Sequence, residues 1–329
     1  MGIAHRGFLE GGWGIQRPVA VKILSLPADV DPDEAMDHLA RIVRRAVWIR
    51  HPALVEVLEV GRTEGIGGAP MQPFLVTELV EGESLASLVD GWRAEGVRVP
   101  VDFATVITLR VAEALGAALF TDGPDASLTN LVHGDLSPRQ ILLSSQGWVK
   151  VGDFGIAPFR MLTSSVRSHA RLAYTAPEVA NGSPPNAQAD VFSLGVILHE
   201  LLVGPRFGPS PTARDAMRMV RSGELYSSAL EPNLPRGLRE ILTQATERHP
   251  MARYPHARAM AFDLRREMLR LGLCDAQTCI RHAIVGWYDT RSSSGERPRC
   301  QSSVELIVRE EAPPPSGDTQ PSLPVGLRR

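Results

Sequence analysis

The chain has 329 residues, 43% of them hydrophobic and 22% charged, with a formal net charge of −2 and a pI near 6.5. This is the balance of an ordinary globular protein, and it excludes a global basic field of the kind that draws nucleic acid or an anionic membrane surface. The length allows about two compact units, each with its own core.

Residues 3–9 and 18–25 read as strands joined by the turn Glu10-Gly11-Gly12. Alternation in the second puts Val19, Val21 and Ile23 on one face and Ala20 and Lys22 on the other, so one cation reaches out beside a small side chain. A strand lysine of this kind either roofs a cavity or is simply solvated. Asp31-Pro32-Asp33-Glu34 opens a helix with an acidic first turn, and the arginines Arg41, Arg44 and Arg45 suit its C-terminal dipole; it is predicted to run to about Ile49. Strands follow at 54–60 and 74–80 around a Gly/Pro-rich loop, then a helix near 84–93. Phe103, Ile107, Val111, Ala114, Leu115 and Ala118 recur at helical spacing over 102–120. Residues 190–203 are apolar nearly all round and too short to span a bilayer, which predicts a buried core helix. Further helices are expected at 212–222, 236–247, 256–271 and 275–287. From about Ser292 the composition turns Ser/Pro/Gly-rich, the mark of a disordered tail. Within it Val304-Glu305-Leu306-Ile307-Val308 is an apolar patch that either docks on a partner or stays an unpaired strand-like stretch.

No run of about 18 uninterrupted apolar residues occurs, so no membrane span is expected. The first residues, M-G-I-A-H-R-G, lack the apolar stretch of a signal peptide. Cys274, Cys279 and Cys300 lie late in the chain without zinc-like histidine pairing, and their scarcity suits a reducing cytoplasm.

The stretch that organises the chain is 132–155, V-H-G-D-L-S-P-R-Q-I-L-L-S-S-Q-G-W-V-K-V-G-D-F-G. Two apolar runs around a Ser-Ser-Gln-Gly turn read as a hairpin that brings the loops bearing Asp135 and Asp153 to one edge. Two carboxylates on such loops suit orienting a hydroxyl nucleophile and holding a divalent cation; alternatively they are turn aspartates.

Eight landmarks in order resemble the protein kinase superfamily, in particular bacterial eukaryotic-type serine/threonine kinases, over about residues 1–270. They are V-A-V-K (19–22), H-P (51–52), F-L-V-T-E-L-V-E-G (74–82), H-G-D-L-S-P-R-Q (133–140), D-F-G (153–155), A-Y-T-A-P-E (173–178), D-V-F-S-L-G (190–195) and P-M-A-R-Y (250–254). A single match is weak; eight in sequence are not. The resemblance implies an α+β, bilobal fold: a β-rich small lobe over 1–80, a mainly helical large lobe over 81–287, and a tail over 288–329. It also implies ATP and Mg²⁺ as cofactors. Lys22 then resembles the lysine that meets the ATP phosphates, while Gly2 and Ala20 line the nucleotide. Thr77 resembles the gatekeeper, with the backbone from Glu78 to Val80 as the adenine hinge. Asp135 resembles the catalytic aspartate, and Asp153 and Gln140 take the metal positions. Glu178, Arg253 and Asp190 match structural positions of the large lobe.

Departures from the family pattern cluster where the phosphates would lie. Gly2 aligns with the third glycine of the family's glycine-rich loop, and the strand and two glycines before it are absent; a downstream-assigned start codon accounts for that as well as truncation does. The glutamate expected in the first helix, nine residues before His51, is Ile42, and Asp37 is about 140° away round the helix. Gly134 replaces the family's arginine, Ser137 its lysine, and Gln140 its metal-binding asparagine. Losing one preorganised electrostatic group typically costs about 3–4 kcal/mol of transition-state stabilisation.

Two functions follow. The first is a serine/threonine protein kinase, of weak activity, that transfers the γ-phosphate of ATP to protein hydroxyls. The second is a pseudokinase acting as a nucleotide-binding or scaffold module. A small-molecule phosphotransferase, which H-G-D also resembles, is disfavoured by A-P-E and by the helix that Asp190 opens. The partner is a protein substrate or regulator, with no nucleic acid and no membrane span.

Overall fold

Val19, Val21, Phe74 and Val76 are all buried, with Leu9, Ile23 and Leu58 packed against them. They form one face of a sheet whose other face carries Ala20, Lys22, Leu75 and Thr77. This division follows from the alternation and from the register Ala20↔Thr77, Lys22↔Leu75 between β2 (Gln16–Ile23) and β4 (Pro73–Glu78). The computed structural model describes residues 4–26, 30–63, 71–123, 130–154, 156, 172–207, 212–225, 234–273, 276–293, 305–309 and 325–328. β1 (Ala4–Glu10) pairs antiparallel with β2, and β3 (Val57–Arg62) closes the other side of β4.

α1 (Pro32–Ala46) begins where the Asp31 carboxylate accepts from the N–H groups of Asp33 and Glu34, at 2.8 and 3.2 Å. It stops three residues short of the predicted Ile49, because the chain tightens into a turn in which Ile49 N–H donates to Ala46 O, ahead of His51-Pro52. Ala35, Leu39 and Val43 of α1 pack on Leu24, Leu75 and Ile156.

The large lobe is helical around one core. α2 (Leu85–Ala94) is capped by Ser84, and α3 (Val101–Phe120) is buried along most of its length. Thr105 and Thr108 enter that core without orphaned hydroxyls, since each donates to the carbonyl four residues back at 2.7 Å. Among the described residues α3 is the one helix long and apolar enough to cross a membrane, and here it is packed as a core helix. A small sheet joins β5 (Gly82–Ser84), β6 (Ile141–Ser144) and β7 (Val149–Val151) in that order. β6 and β7 are the hairpin read from the sequence; β5 was not anticipated, being three residues with no alternation to read. Then come α4 (Pro177–Ala180), α5 (Ala187–Leu202), α6 (Ala213–Ser222), α7 (Arg236–Ala245) and α8 (Ala257–Arg270). The two-lobed α+β arrangement expected from the sequence is the one found.

The C-terminal region differs from expectation. α9 (Ala276–Ser293) runs past residue 287 and buries Ile280, Ile284 and Trp287 against the large lobe. Gly91 makes that possible: a Cβ there would come within 1.7 Å of the Trp287 ring. Two stretches of the tail predicted to lack structure are strands. β8 (Glu305–Arg309) pairs parallel with β1, from Gly7↔Leu306 to Glu10↔Arg309, and β9 (Val325–Arg328) pairs antiparallel with β8. The physical reason is the apolar stretch Leu306-Ile307-Val308, two of whose side chains are β-branched, which pairs readily with an open strand edge. The sheet order is therefore β3-β4-β2-β1-β8-β9.

Candidate active site

The loop carrying Asp135 is held from below by Asp190. One carboxylate oxygen accepts the His133 N–H at 2.6 Å and the other the Gly134 N–H at 2.8 Å. Burial pushes the Asp190 carboxyl above its ordinary range. The two backbone donors oppose that push, and Asp135 adds to it. Gly134 has φ +71°, a conformation glycine adopts without the cost a side chain incurs; the residue that displaces the family's arginine thus fits the backbone it sits on.

His133, fully buried, joins the two aspartate loops. Its Nδ1 accepts the Asp135 N–H at 3.3 Å and its Nε2 lies 3.0 Å from Gly152 O. That pairing requires the neutral tautomer with the proton on Nε2. The imidazole also meets the Phe154 ring edge-on, at 5.2 Å between centroids. Gly152 N–H closes the frame by donating to Gln140 O at 2.8 Å. Asp135 and Asp153 are therefore positioned by one contiguous hydrogen-bonded unit.

Lys22 crosses to Asp153. Its Nζ lies 2.6 and 2.5 Å from the two carboxylate oxygens, and both side chains are about four-fifths buried. Asp153 has φ +59°, a left-handed conformation more accessible to Asp than to most residues. Ala20, two residues before Lys22 on the same face, stands opposite Thr77 in the ladder.

Two of the departures from the family pattern, Ser137 and Gln140, are joined to each other. Gln140 is buried, and its amide oxygen accepts the Ser137 hydroxyl. Ile42, partly buried, packs against the cluster of Leu24, Ala35, Leu39, Val43, Leu75 and Ile156, the last three residues after Asp153. Where an ion pair would anchor the helix, apolar burial does so, at about 1.5–3 kcal/mol per fully buried aliphatic side chain.

At the junction of the lobes the Glu78 backbone pairs with Glu56, its N–H donating to Glu56 O at 2.9 Å, while Thr77 Oγ1 donates to Glu78 O at 3.3 Å. The Glu78 side chain accepts from Glu56 N–H at 2.9 Å and from Lys150 Nζ at 2.5 Å, and Lys150 also donates to Leu54 O. Val80, half-buried, follows just after β4. Sequence reasoning missed Lys150; its only signal was a lysine between two valines in a hairpin strand. Gly2 lies outside the described residues.

The segment 173–178 is fastened at several points. Glu178 and Arg253 form a two-pronged pair at 2.7 and 2.8 Å, and Arg253 also donates to Gln188 O, Glu247 O and Arg248 O. Tyr174 donates to Glu200, and Ser193 to Tyr174 O at 2.8 Å. Arg206, 2% exposed, donates to Ala173 O, Thr175 O, Met219 O and Glu224 O. Burial lowers its guanidinium to about 9, still above neutrality, so the cation persists. Arg206 and Arg253 both lie over the Phe192 ring, at 5.1 and 4.7 Å from its centroid. Nothing in the sequence motifs marked Arg206.

The donor set fits a nucleotide with a divalent cation. Asp153 already embraces a cation through both oxygens, in the form of the Lys22 ammonium. Asp153 and the Gln140 amide are oxygen donors of the kind Mg²⁺ takes, and Lys22 would meet phosphate.

A family model described as protein tyrosine and serine/threonine kinase matches residues 2–264. Serine/threonine-protein kinase PknB of Mycobacterium tuberculosis is 33% identical over 259 residues, covering 76% of this chain and 38% of that protein. PknB of Mycobacterium leprae is 31% identical over 256 residues, covering 76% and 39%. A probable serine/threonine-protein kinase of Clostridium perfringens is 29% identical over 257 residues, covering 76% and 34%. The chain thus spans between a third and two fifths of the length of these relatives. With the motifs, the two lobes and the match over most of its length in agreement, the chain belongs to the protein kinase superfamily, among the eukaryotic-type serine/threonine kinases.

Proposed function

We propose that this protein binds ATP with Mg²⁺ and transfers the γ-phosphate to serine or threonine hydroxyls of a cytoplasmic protein, with low turnover. The observation that carries the reading is the frame in which His133 and Asp190 hold Asp135 while Lys22 and Asp153 meet across the lobes. In this reading Asp135 accepts the proton of the attacking hydroxyl. Lys22 orients the phosphates, and Asp153 with Gln140 holds the cation. Ala20 and Thr77 border the base, whose polar edge meets the backbone of Glu78 and Val80. The bound cation supplies charge neutralisation of the transferred group. Glu178, Arg253 and Asp190 act by holding the loops in place.

A second reading is a pseudokinase. It draws on the bond that engages the Gln140 amide with Ser137 and on the apolar setting of Ile42, both of which depart from the electrostatic frame of an active enzyme. One measurement tests nucleotide binding and a second separates the readings. ATP with Mg²⁺ should raise the melting temperature in wild type and not in Lys22→Ala. Only the kinase reading requires transfer of labelled γ-phosphate that Asp135→Asn abolishes.

A further inference from the structure

α6 carries Arg214, Arg218 and Arg221 at spacings of four and three residues, which places them along one side of the helix. Together with Arg248, Asn181 and Ser222 they line a cavity of about 610 Å³ on the large lobe. Four of its lining residues are arginines, and among the described residues no acid lines it. Two acids stand near. Asp215 is turned to the helix start, where its carboxylate accepts from the Thr212 hydroxyl at 2.6 Å. Glu224 is paired with Arg218 at 2.8 Å, and that bond holds its carboxyl below the ordinary range.

The groove is built from both sides. Gly223 ends α6 at φ +79°, where a Cβ would come within 3.0 Å of Pro177 and 3.5 Å of Arg248. A side chain there would be strained by the left-handed backbone and would crowd Pro177. Underneath, Arg206 ties Met219 O and Glu224 O of the helix end to Ala173 O and Thr175 O. The guanidiniums therefore stand on a fixed support, beside the segment that ends in Pro177-Glu178.

We propose that this groove docks an acidic, extended segment of a protein partner, with Glu224 as the resident carboxylate that the partner displaces from Arg218. Spacing favours a peptide over a single phosphate: Arg214 and Arg218 are about 6 Å apart along the helix axis and Arg221 about 4.5 Å further. Alternate side chains of an extended strand stand about 6.6–6.8 Å apart, so acids at every second residue can each find a guanidinium. Overall charge favours a protein over a nucleic acid, since the chain as a whole carries a net charge of −2 rather than the basic excess that a polyanionic backbone calls for. The docking is independent of phosphoryl transfer, so its test reads binding alone.

The test is fluorescence anisotropy with the full chain and a labelled nonapeptide of alternating glutamate and serine, beside the same peptide with glutamine for glutamate. The acidic peptide should bind and the glutamine peptide should not, and binding should weaken as NaCl rises from 50 to 500 mM. Reversing Arg214→Glu and Arg221→Glu together should weaken it by roughly tenfold or more; both residues are exposed, and an unchanged melting temperature would certify the fold. Glu224→Gln should tighten it. Equal binding of the two peptides, indifference to the double reversal, or no gain in Glu224→Gln would overturn the proposal. So would a single-stranded oligonucleotide that outcompetes the acidic peptide at equal charge.

Discussion

Ser137 and Gln140 are partners: the serine hydroxyl donates to the glutamine amide oxygen within a single turn, Pro138–Gln140, that leads into β6. Each residue by itself reads as the loss of a charged or metal-binding group. Together they form a neutral, satisfied pair where a lysine and an asparagine would stand, and the amide oxygen proposed for the cation is shared with a hydroxyl.

Replacing both, Ser137→Lys with Gln140→Asn, should raise phosphoryl transfer by about tenfold or more, since each preorganised group is worth on the order of 3 kcal/mol in the transition state. Steady-state transfer of labelled phosphate checks this. A rate no higher than wild type would place the limit elsewhere, with Ile42 the first candidate.

Lys150 is expected to matter for both lobes. Removing it by Lys150→Ala leaves the Glu78 carboxylate, among the described residues, with the Glu56 N–H alone and releases Leu54 O. The pair is about one-fifth exposed, so a loss of about 1–3 kcal/mol is expected rather than that of a deeply buried ion pair. Urea denaturation measures it, and weaker ATP binding should accompany it because Glu78 lies at the proposed hinge.

Acid should destabilise the fold in a defined window. Burial lowers the pKa of His51, with Arg110 and Lys150 lowering it further and Glu113 opposing; burial and then Arg41 lower that of His38. The unfolded chain takes up these protons near pH 6.5 and the folded chain only at lower pH, so stability rises with pH up to that point and falls on acidification below it. His51 Nδ1 accepts the Ala53 N–H at 3.2 Å. His51→Asn keeps an acceptor there without titrating, and should flatten the change in urea midpoint between pH 7.5 and 5.5.

β8 should protect the edge of β1. Deleting residues 301–329 should speed amide hydrogen exchange over Gly7–Glu10, the residues paired with Leu306–Arg309. Exchange over β4, which pairs with β2 and β3 on its two sides, should change less.

The helices were legible in the sequence because each repeats an apolar stripe long enough to count, as at Phe103, Ile107 and Val111, or opens on a cap such as Asp31. The strand face of Ala20 and Lys22 was legible from alternation alone. What the sequence did not disclose depends on contacts between distant stretches. Ile42 reads as a missing acid, and the apolar cluster it joins, with Leu24, Leu75 and Ile156, becomes visible only when α1 is laid on the sheet. Arg206 looks like a loop arginine until four carbonyls from two segments converge on it. The apolar patch at 304–308 announces a strand but not its partner, because any open edge would serve. Lys150 shows no motif, as its partner Glu78 lies 72 residues away.

The central claim is that Asp135, framed by His133 and Asp190, serves phosphoryl transfer from a nucleotide held by Lys22 and Asp153. The most direct measurement is transfer of labelled γ-phosphate from ATP with Mg²⁺, to the protein itself or to a basic protein, in wild type and in Asp135→Asn. The account predicts a signal in wild type that falls by about 100-fold or more in the variant, with its melting temperature still raised by ATP. A wild type that binds ATP but transfers nothing, or an equal signal from Asp135→Asn, would contradict it.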